Sequence, residues 1–150
     1  MPQSLSLIIV QIIFSTKDRF PCLNPTIRPN LHAYLATAAR NADCEAYRVG
    51  GIADHVHMAI RLSRTLAVAD LVEKLKTSSS KWLKTCRPEL RRFAWQRGYG
   101  AFSVAPHELQ ELITYIEGQE EHHRVKTFQE EYRALLNEYG IRFDERYVWD

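Results

Sequence analysis

The sequence predicts an α+β fold of the ferredoxin-like, split βαβ type: one antiparallel sheet with two helices on one face, followed by extra C-terminal helices. Segments with the apolar period of strands and helices occur in the order strand, helix, strand, strand, helix, strand. Stretches containing proline or glycine separate them. No repeat or change of composition marks a second domain, so we expect one domain over residues 1–150. The second face of the sheet should be open for a partner or substrate.

The first half of the chain predicts a strand, a helix and a hairpin. The segment LSLIIVQIIFST is typical of a buried central strand. After the prolines of FPCLNPTIRPN, Asn30 can cap a helix over LHAYLATAARNA. The segment CEAYRVGGIADHVHMAIRL predicts two strands joined near Gly50, Gly51 and Asp54, the second of them near the middle of the sheet.

The second half predicts a helix, a fourth extended segment and two further helices. The first of these helices begins near Val68, and TSSSKW should weaken or bend it. FAWQRGYGAFSVA is extended, and PHELQELITYIEGQEEHH is a helix with Pro106 in its first turn. TFQEEYRALLNEYG is a helix with a capping box of Thr127 and Glu130, and it ends at Gly140.

The composition is that of a globular protein of a reducing compartment. Apolar residues make up 45% of the chain and charged residues 25%. Three widely spaced cysteines without a Cys-x-x-Cys pair argue against disulfides and a cysteine zinc site, so a cytoplasmic location is expected. The apolar run at residues 5–14 lacks the features of a signal peptide, and no segment is long enough to span a membrane.

Basic residues are concentrated in the middle of the sequence. Residues 64–97 contain nine Lys or Arg against three acids, with Trp82, Phe93 and Trp95 among them. Basic and aromatic residues together suit single-stranded or looped nucleic acid. Charge alone, however, favours a solvated helix face over such a surface.

The stretch DHVHMAIRL places two histidines on one face of a strand. Because side chains alternate along a strand, Val56, Met58 and Ile60 should be buried, and His55 and His57 should lie on the opposite, open face. Such a pair is often structural, and a metal site would need a third ligand from elsewhere in the chain.

A later helix offers a tyrosine and a third ligand. Tyr115 and Gln119 are four residues apart, so they lie on the same side of a helix. That side is next to the apolar stripe of the helix. Two imidazoles and an amide oxygen, without thiolate, favour Mg²⁺ or Mn²⁺ over structural zinc. A cation that binds a phosphate beside a phenol suits metal-assisted phosphoryl transfer to tyrosine.

These residues resemble the motif of the single-tyrosine HUH transposases of small bacterial insertion sequences (the IS200-like transposases) and their domesticated relatives, the REP-associated tyrosine transposases. HUH denotes His, a hydrophobic residue and His, here His55, Val56 and His57. The similarity covers nearly the whole chain, in IIFSTKDRFP, GGIADHVHMAI, LVEKLKTSSSKWL, FAWQRGYGAFSVAP, YIEGQEEHH, TFQEEYRALLNEYGI and DERYVWD.

The resemblance implies an HUH domain, related in fold to RNA-recognition domains, with Tyr115 as nucleophile and His55, His57 and Gln119 as ligands of Mg²⁺ or Mn²⁺. Members of this family cut and rejoin single-stranded DNA at hairpin-bearing element ends through a 5′-phosphotyrosine. They act as homodimers, in which the tyrosine of one chain can serve the histidines of the other. The expected DNA contacts are Lys74, Lys76, Ser78, Ser79, Lys81, Trp82 and Arg61.

Smaller expectations and two alternatives remain open. Asp54 should occupy a turn or orient an imidazole, and His122 and His123 should cap a helix end or touch phosphate. One alternative is a domesticated or non-cleaving protein that binds single-stranded or hairpin DNA. The other is a metal-dependent hydrolase, which predicts a third carboxylate or His ligand and leaves Tyr115 dispensable.

Overall fold

The sheet has four antiparallel strands in the order β2-β3-β1-β4. The computed structural model describes residues 2–150. The strands are β1 (Ile9–Ser15), β2 (Glu45–Gly51), β3 (His55–Arg61) and β4 (Gly100–Val104). This order confirms the split βαβ prediction and places β3 in the interior, paired with both β1 and β2.

Within residues 2–150, five α-helices accompany the sheet. They are α1 (Arg28–Asn41), α2 (Val68–Cys86), α3 (Leu109–Glu117), α4 (Gln119–His122) and α5 (Phe128–Glu138). Helices α1 and α2 pack on one face of the sheet, where Val56, Met58 and Ile60 belong to the largest apolar cluster, as their alternation predicts. Among residues 2–150, the length and hydropathy needed to cross a bilayer occur together in no helix.

The second face of the sheet is not open, and that prediction is wrong. Helix α3 packs against β2 and β3, with Leu112 and Ile116 on Ala59, and α5 packs on Ile13 and Phe102. The apolar stripes of these helices need a surface to cover, and the sheet supplies it. His55 and His57 are therefore completely buried.

Several element boundaries also differ from the prediction. Strand β1 begins at Ile9, and the preceding Leu5 is exposed. Helix α1 begins at Arg28, so Asn30 lies inside it, while Asn24 accepts hydrogen bonds from the next turn through its side chain.

The segment TSSSKW lies within an uninterrupted α2. At the start of α5, the Glu130 amide donates to the Thr127 hydroxyl at 3.1 Å, which confirms Thr127 as the N-cap. The Glu130 carboxylate accepts from the Thr127 hydroxyl, whereas a capping box requires the Thr127 amide.

The predicted helix over PHELQELITYIEGQEEHH is divided into two at Gly118. Helix α3 ends at Glu117 and α4 begins at Gln119, and the Gly118 amide donates to the carbonyls of Thr114 and Tyr115. Gly118 has φ −91° and ψ 16°, outside the α-helical region. The break lies between Tyr115 and Gln119, which the sequence predicts on one side of a single helix.

Gly50 allows α3 to approach the sheet closely, and its replacement is predicted to destabilise the protein. A Cβ atom there would lie 2.7 Å from the carbonyl oxygen and a methyl group of Ile116. Since α3 would have to move, Gly50→Ala should lower the free energy of unfolding by about 1–3 kcal/mol. Gly118→Ala is the control, because the added Cβ would meet no atom closer than 3.5 Å. Urea unfolding followed by circular dichroism measures both; equal stabilities would contradict this account of the packing.

Candidate functional site

Hydrogen bonds fix both histidines of β3 through the Nδ1 atom. His55 Nδ1 donates to Asp54 Oδ1 at 2.7 Å, and His57 Nδ1 donates to Gln11 Oε1 at 2.9 Å. These bonds set the tautomer and leave the Nε2 lone pair of each ring free to bind a cation. Asp54 thus has the orienting role that the sequence allowed, and Gln11, on β1, is a partner that the sequence did not indicate.

The structure brings Gln119 and Tyr115 to these histidines. Gln119 Oε1 lies 3.0 Å from His55 Nε2, and its side chain is buried. The Tyr115 ring packs edge-on against His57, with 5.8 Å between centroids. All four residues that the sequence proposed for the site are therefore neighbours within a single chain.

Two further residues, Glu131 and His123, complete the cluster. Glu131 Oε1 lies 2.9 Å from His57 Nε2 and 3.1 Å from His123 Nε2. Glu131 Oε2 accepts hydrogen bonds from the Tyr115 hydroxyl and, at 3.3 Å, from the Gln119 amide. His123 is the C-cap residue of α4, as expected at a helix end, but its ring is directed into the cluster and not outward to a phosphate.

A signal for Glu131 exists in the sequence of α5. Phe128, Tyr132 and Leu136 recur every four residues and form the buried stripe of the helix. Glu131 is three residues after Phe128, so it lies on the same side as that stripe, and it is only 2% exposed. A carboxylate on the apolar face of a helix is unusual without a partner and marks the position as a site candidate.

Burial and mutual contacts change the acidity of the cluster. Burial opposes ionisation of Glu131, but its hydrogen bonds, first of all the one with His123, outweigh burial and hold its pKa well below the usual range. Burial, together with the hydrogen bond to this carboxylate, raises the pKa of Tyr115 far above its ordinary value. Glu131 is therefore ionised at neutral pH, and Tyr115 keeps its proton.

The facing atoms of this cluster fit a divalent cation. His55, His57, His123 and Glu131 each offer one ligand atom, and these atoms lie within 4.8 Å of one another. With Nδ1 of both strand histidines donating elsewhere, His57 Nε2 faces a carboxylate oxygen and His55 Nε2 faces the Gln119 oxygen, acceptor against acceptor. A cation between them satisfies all of these lone pairs, and nitrogen and oxygen donors without thiolate suit Mn²⁺ or Mg²⁺.

Most of the predicted DNA-contact residues lie on the far side of the sheet. Lys74, Ser78 and Lys81 line an open groove of about 920 Å³ between α1 and α2. Trp82 stacks on Tyr34 near this groove, with ring centroids 4.8 Å apart. Because α1 and α2 cover the face opposite the histidines, this groove and the cluster do not share a surface.

Three other predicted contacts are engaged within the protein. The Lys76 ammonium donates to the carbonyls of Gln96, Arg97 and Gly98 at 2.8, 3.3 and 2.5 Å, which uses its three N–H donors. Its partial burial lowers its pKa to about 8.

Ser79 is buried and accepts from Trp95 Nε1 at 2.9 Å. Arg61 pairs with Glu45 at 3.6 Å at the exposed end of β3.

Comparison with known proteins gives one family and several similar structures. A family model described as "Transposase IS200 like" matches residues 4–119. A structure described as a transposase from Deinococcus radiodurans R1 has 21% sequence identity and a TM-score of 0.62 over 79% of this chain and 98% of that one. A REP-associated tyrosine transposase bound to a REP hairpin has 13% identity and a TM-score of 0.56 over 79% of this chain and 72% of that one. The comparison with curated proteins finds no match.

Proposed function

This chain belongs to the IS200-like transposase family, and on that premise we propose that it cuts and rejoins single-stranded DNA through a covalent 5′-phosphotyrosine on Tyr115. The observation that carries the proposal is the contact of the Tyr115 hydroxyl with Glu131, whose other oxygen faces His57 and His123. A nucleophile, a proton acceptor and a set of cation ligands thus converge at one place. A module that only binds DNA has no need of this combination.

The ligands of the proposed metal are His55, His57 and Gln119, joined by Glu131 and His123. A divalent cation held there would polarise the scissile phosphate and stabilise the charge that develops on it. His123 adds a third imidazole to the pair expected from sequence. Since imidazole nitrogen suits transition metals better than Mg²⁺, we propose Mn²⁺ as the preferred ion.

The two oxygens of Glu131 divide the work in this proposal. Oε1 faces the imidazoles of His57 and His123, with which it would hold a cation, whereas Oε2 accepts the Tyr115 hydroxyl hydrogen. As the Tyr115 oxygen forms its bond to phosphorus, the bond from phosphorus to the DNA 3′-oxygen breaks. The tyrosine proton leaves along its hydrogen bond to Oε2 and passes on to solvent, because the low pKa of Glu131 does not let the carboxyl group keep it. The 3′-oxygen takes a proton from solvent and leaves as a hydroxyl.

The proposed substrate, hairpin-bearing DNA, and the proposed homodimer rest mainly on membership of the family. One structural neighbour is bound to a REP hairpin, which favours hairpin-bearing single-stranded DNA as the substrate. Lys74, Ser78 and Lys81, beside Trp82, remain candidate hairpin contacts, and Arg61 a more distant one, whereas Lys76 has no free donor for a phosphate. If the protein is a homodimer, sharing of sites between chains is not required, because Tyr115 contacts Glu131 of its own chain.

A denaturing gel tests the proposed chemistry. Purified protein is incubated with end-labelled single-stranded hairpin DNA from around its own gene, in Mn²⁺, Mg²⁺ or EDTA. We expect a labelled covalent protein–DNA band in Mn²⁺, a weaker one in Mg²⁺ and none in EDTA. A shifted native band without cleavage under any metal would instead identify a DNA-binding descendant of the family.

A metal-dependent hydrolase is the second candidate, because Glu131 and His123 are the carboxylate and imidazole ligands that a water-activating site needs. The same gel distinguishes it. Metal-dependent cleavage with no covalent band would favour attack by water over attack by tyrosine. The close contact of Tyr115 with Glu131 favours the tyrosine.

A further inference from the structure

The loop that follows β1 presents an aromatic ring to solvent. In the 16–20 loop, Phe20 is 66% exposed. A single exposed apolar side chain is common, but an exposed ring at the edge of an apolar depression can mark a binding surface. The chemistry proposed above makes no use of this residue.

The backbone of the 16–20 loop is held by hydrogen bonds and is locally strained. Asp18 and Arg19 have φ values of 57° and 56°, in the left-handed region that residues with a Cβ rarely adopt. Hydrogen bonds hold this conformation: the Thr16 hydroxyl donates to the Phe20 carbonyl at 2.8 Å, and the Lys17 amide donates to the Ala94 carbonyl at 2.9 Å. Strain maintained in this way is typical of positions with a function.

Hydrogen bonds join the 16–20 loop to the start of β3. The Thr16 amide donates to the Asp54 carbonyl at 2.8 Å, and the Asp54 carboxylate accepts from His55. In the sheet, Ser15 pairs with His55. The loop therefore lies at the same end of the sheet as His55, next to the cluster at which the scissile phosphate would bind.

The surface beside Phe20 has the character of a site for an uncharged ring. A depression of about 310 Å³ lies there, a size within the range of small-ligand pockets. Its lining includes Leu90, Phe93 and Ala94, and its rim balances Lys17 and Arg92 against Asp18 and Glu89. A near-neutral depression with apolar walls suits a nucleobase better than a phosphate, and an exposed ring at its edge supplies the stacking surface.

We propose that the 16–20 loop binds one unpaired base of the DNA substrate, which stacks on Phe20 and enters the depression beside it. The inference rests on the proposed action on single-stranded DNA. Lys17, exposed in the same loop, is placed for the phosphate that flanks this base. The loop would thus hold the single strand next to the hairpin and align the phosphate with Tyr115.

Binding measurements with matched DNAs and variants test this inference. Fluorescence anisotropy compares a hairpin that carries unpaired flanking nucleotides with the same hairpin cut blunt. Phe20→Ala should weaken binding of the flanked hairpin roughly 5- to 100-fold, the loss expected for one base–aromatic stack, and leave the blunt hairpin unaffected. Phe20→Trp should retain binding. Tyr147→Ala is the control, because Tyr147 is a comparably exposed aromatic at 63% outside the loop.

A second readout locates the base. With 2-aminopurine placed in turn at each unpaired position, one position should be quenched by wild-type protein and by Phe20→Trp but not by Phe20→Ala. Equal binding and equal quenching by wild type and Phe20→Ala, in a protein that still forms the covalent band, would overturn this inference alone. Failure of the wild-type protein to bind any of these DNAs would overturn the proposed function with it.

Discussion

Tyr115→Phe is expected to eliminate the covalent protein–DNA band and to reduce strand cleavage by about three orders of magnitude or more. The substitution removes only the hydroxyl, which contacts Glu131 and lies 3.2 Å from His122 Nε2, while the ring keeps its edge contact with His57. The fold and the affinity for Mn²⁺ should therefore change little. Denaturing gels give the cleavage rate, and calorimetric titration gives the metal affinity.

Tyr139→Phe is the matched control for this experiment. Tyr139 lines the same cleft as Tyr115, but its hydroxyl donates to the Ser103 carbonyl at 2.8 Å and touches none of the cluster. Its loss should leave cleavage near the wild-type rate. If Tyr115→Phe cleaved DNA as fast as the control, water would be the nucleophile and the hydrolase would be the better account.

Glu131→Gln is expected to lower the affinity for Mn²⁺ by at least roughly 10- to 100-fold, since even outer partners of metal ligands have effects of this size. The change replaces a buried charged oxygen by a neutral amide of the same shape, opposite His57 and His123. Cleavage should fall as well, because Tyr115 loses the carboxylate that accepts its hydrogen.

Glu130→Gln separates this effect from a general loss of charge in α5. Glu130 is adjacent in sequence and exposed, and its carboxylate accepts a hydrogen bond from the capping Thr127. It should bind Mn²⁺ as the wild type does. Equal affinities in Glu131→Gln and Glu130→Gln would mean that the imidazoles and Gln119 hold the ion without the carboxylate.

The histidine strand was predictable because its pattern is local. Val56, Met58 and Ile60 alternate with His55 and His57, and alternation alone assigns them to opposite faces. The two faces of β3 are therefore as the sequence indicates. Whether the histidine face is open or covered depends on how later helices pack, which no property of β3 determines.

The remaining residues of the site are brought to the histidines by tertiary contacts. Sequence spacing placed Tyr115 and Gln119 on one helix side, and they do meet the histidines, although Gly118 interrupts the helix between them. Glu131 lies on α5, which the sequence predicts only as an extra C-terminal helix. Only the packing of α5 on Ile13 and Phe102 brings its carboxylate to the cluster. The buried charge on the stripe of α5 was the available signal.

The predicted DNA contacts show that a basic run in the sequence does not identify which side chains are free to bind DNA. Lys76 belongs to the basic run from residue 64 to residue 97, yet its ammonium supports the backbone at residues 96–98. Lys74 and Lys81, on another side of α2, line an open groove. Net charge along a sequence cannot separate these roles, because they depend on which carbonyl groups lie near each side chain.

The most direct test of the central claim is to locate the covalent bond by mass spectrometry. Trypsin should release residues 98–124 as one peptide, which contains two tyrosines, Tyr99 and Tyr115. Fragmentation of this peptide from the trapped complex should place a 5′-phosphonucleotide on Tyr115. A nucleotide on Tyr99 or on any other residue, or cleaved DNA with no modified peptide, would contradict the account.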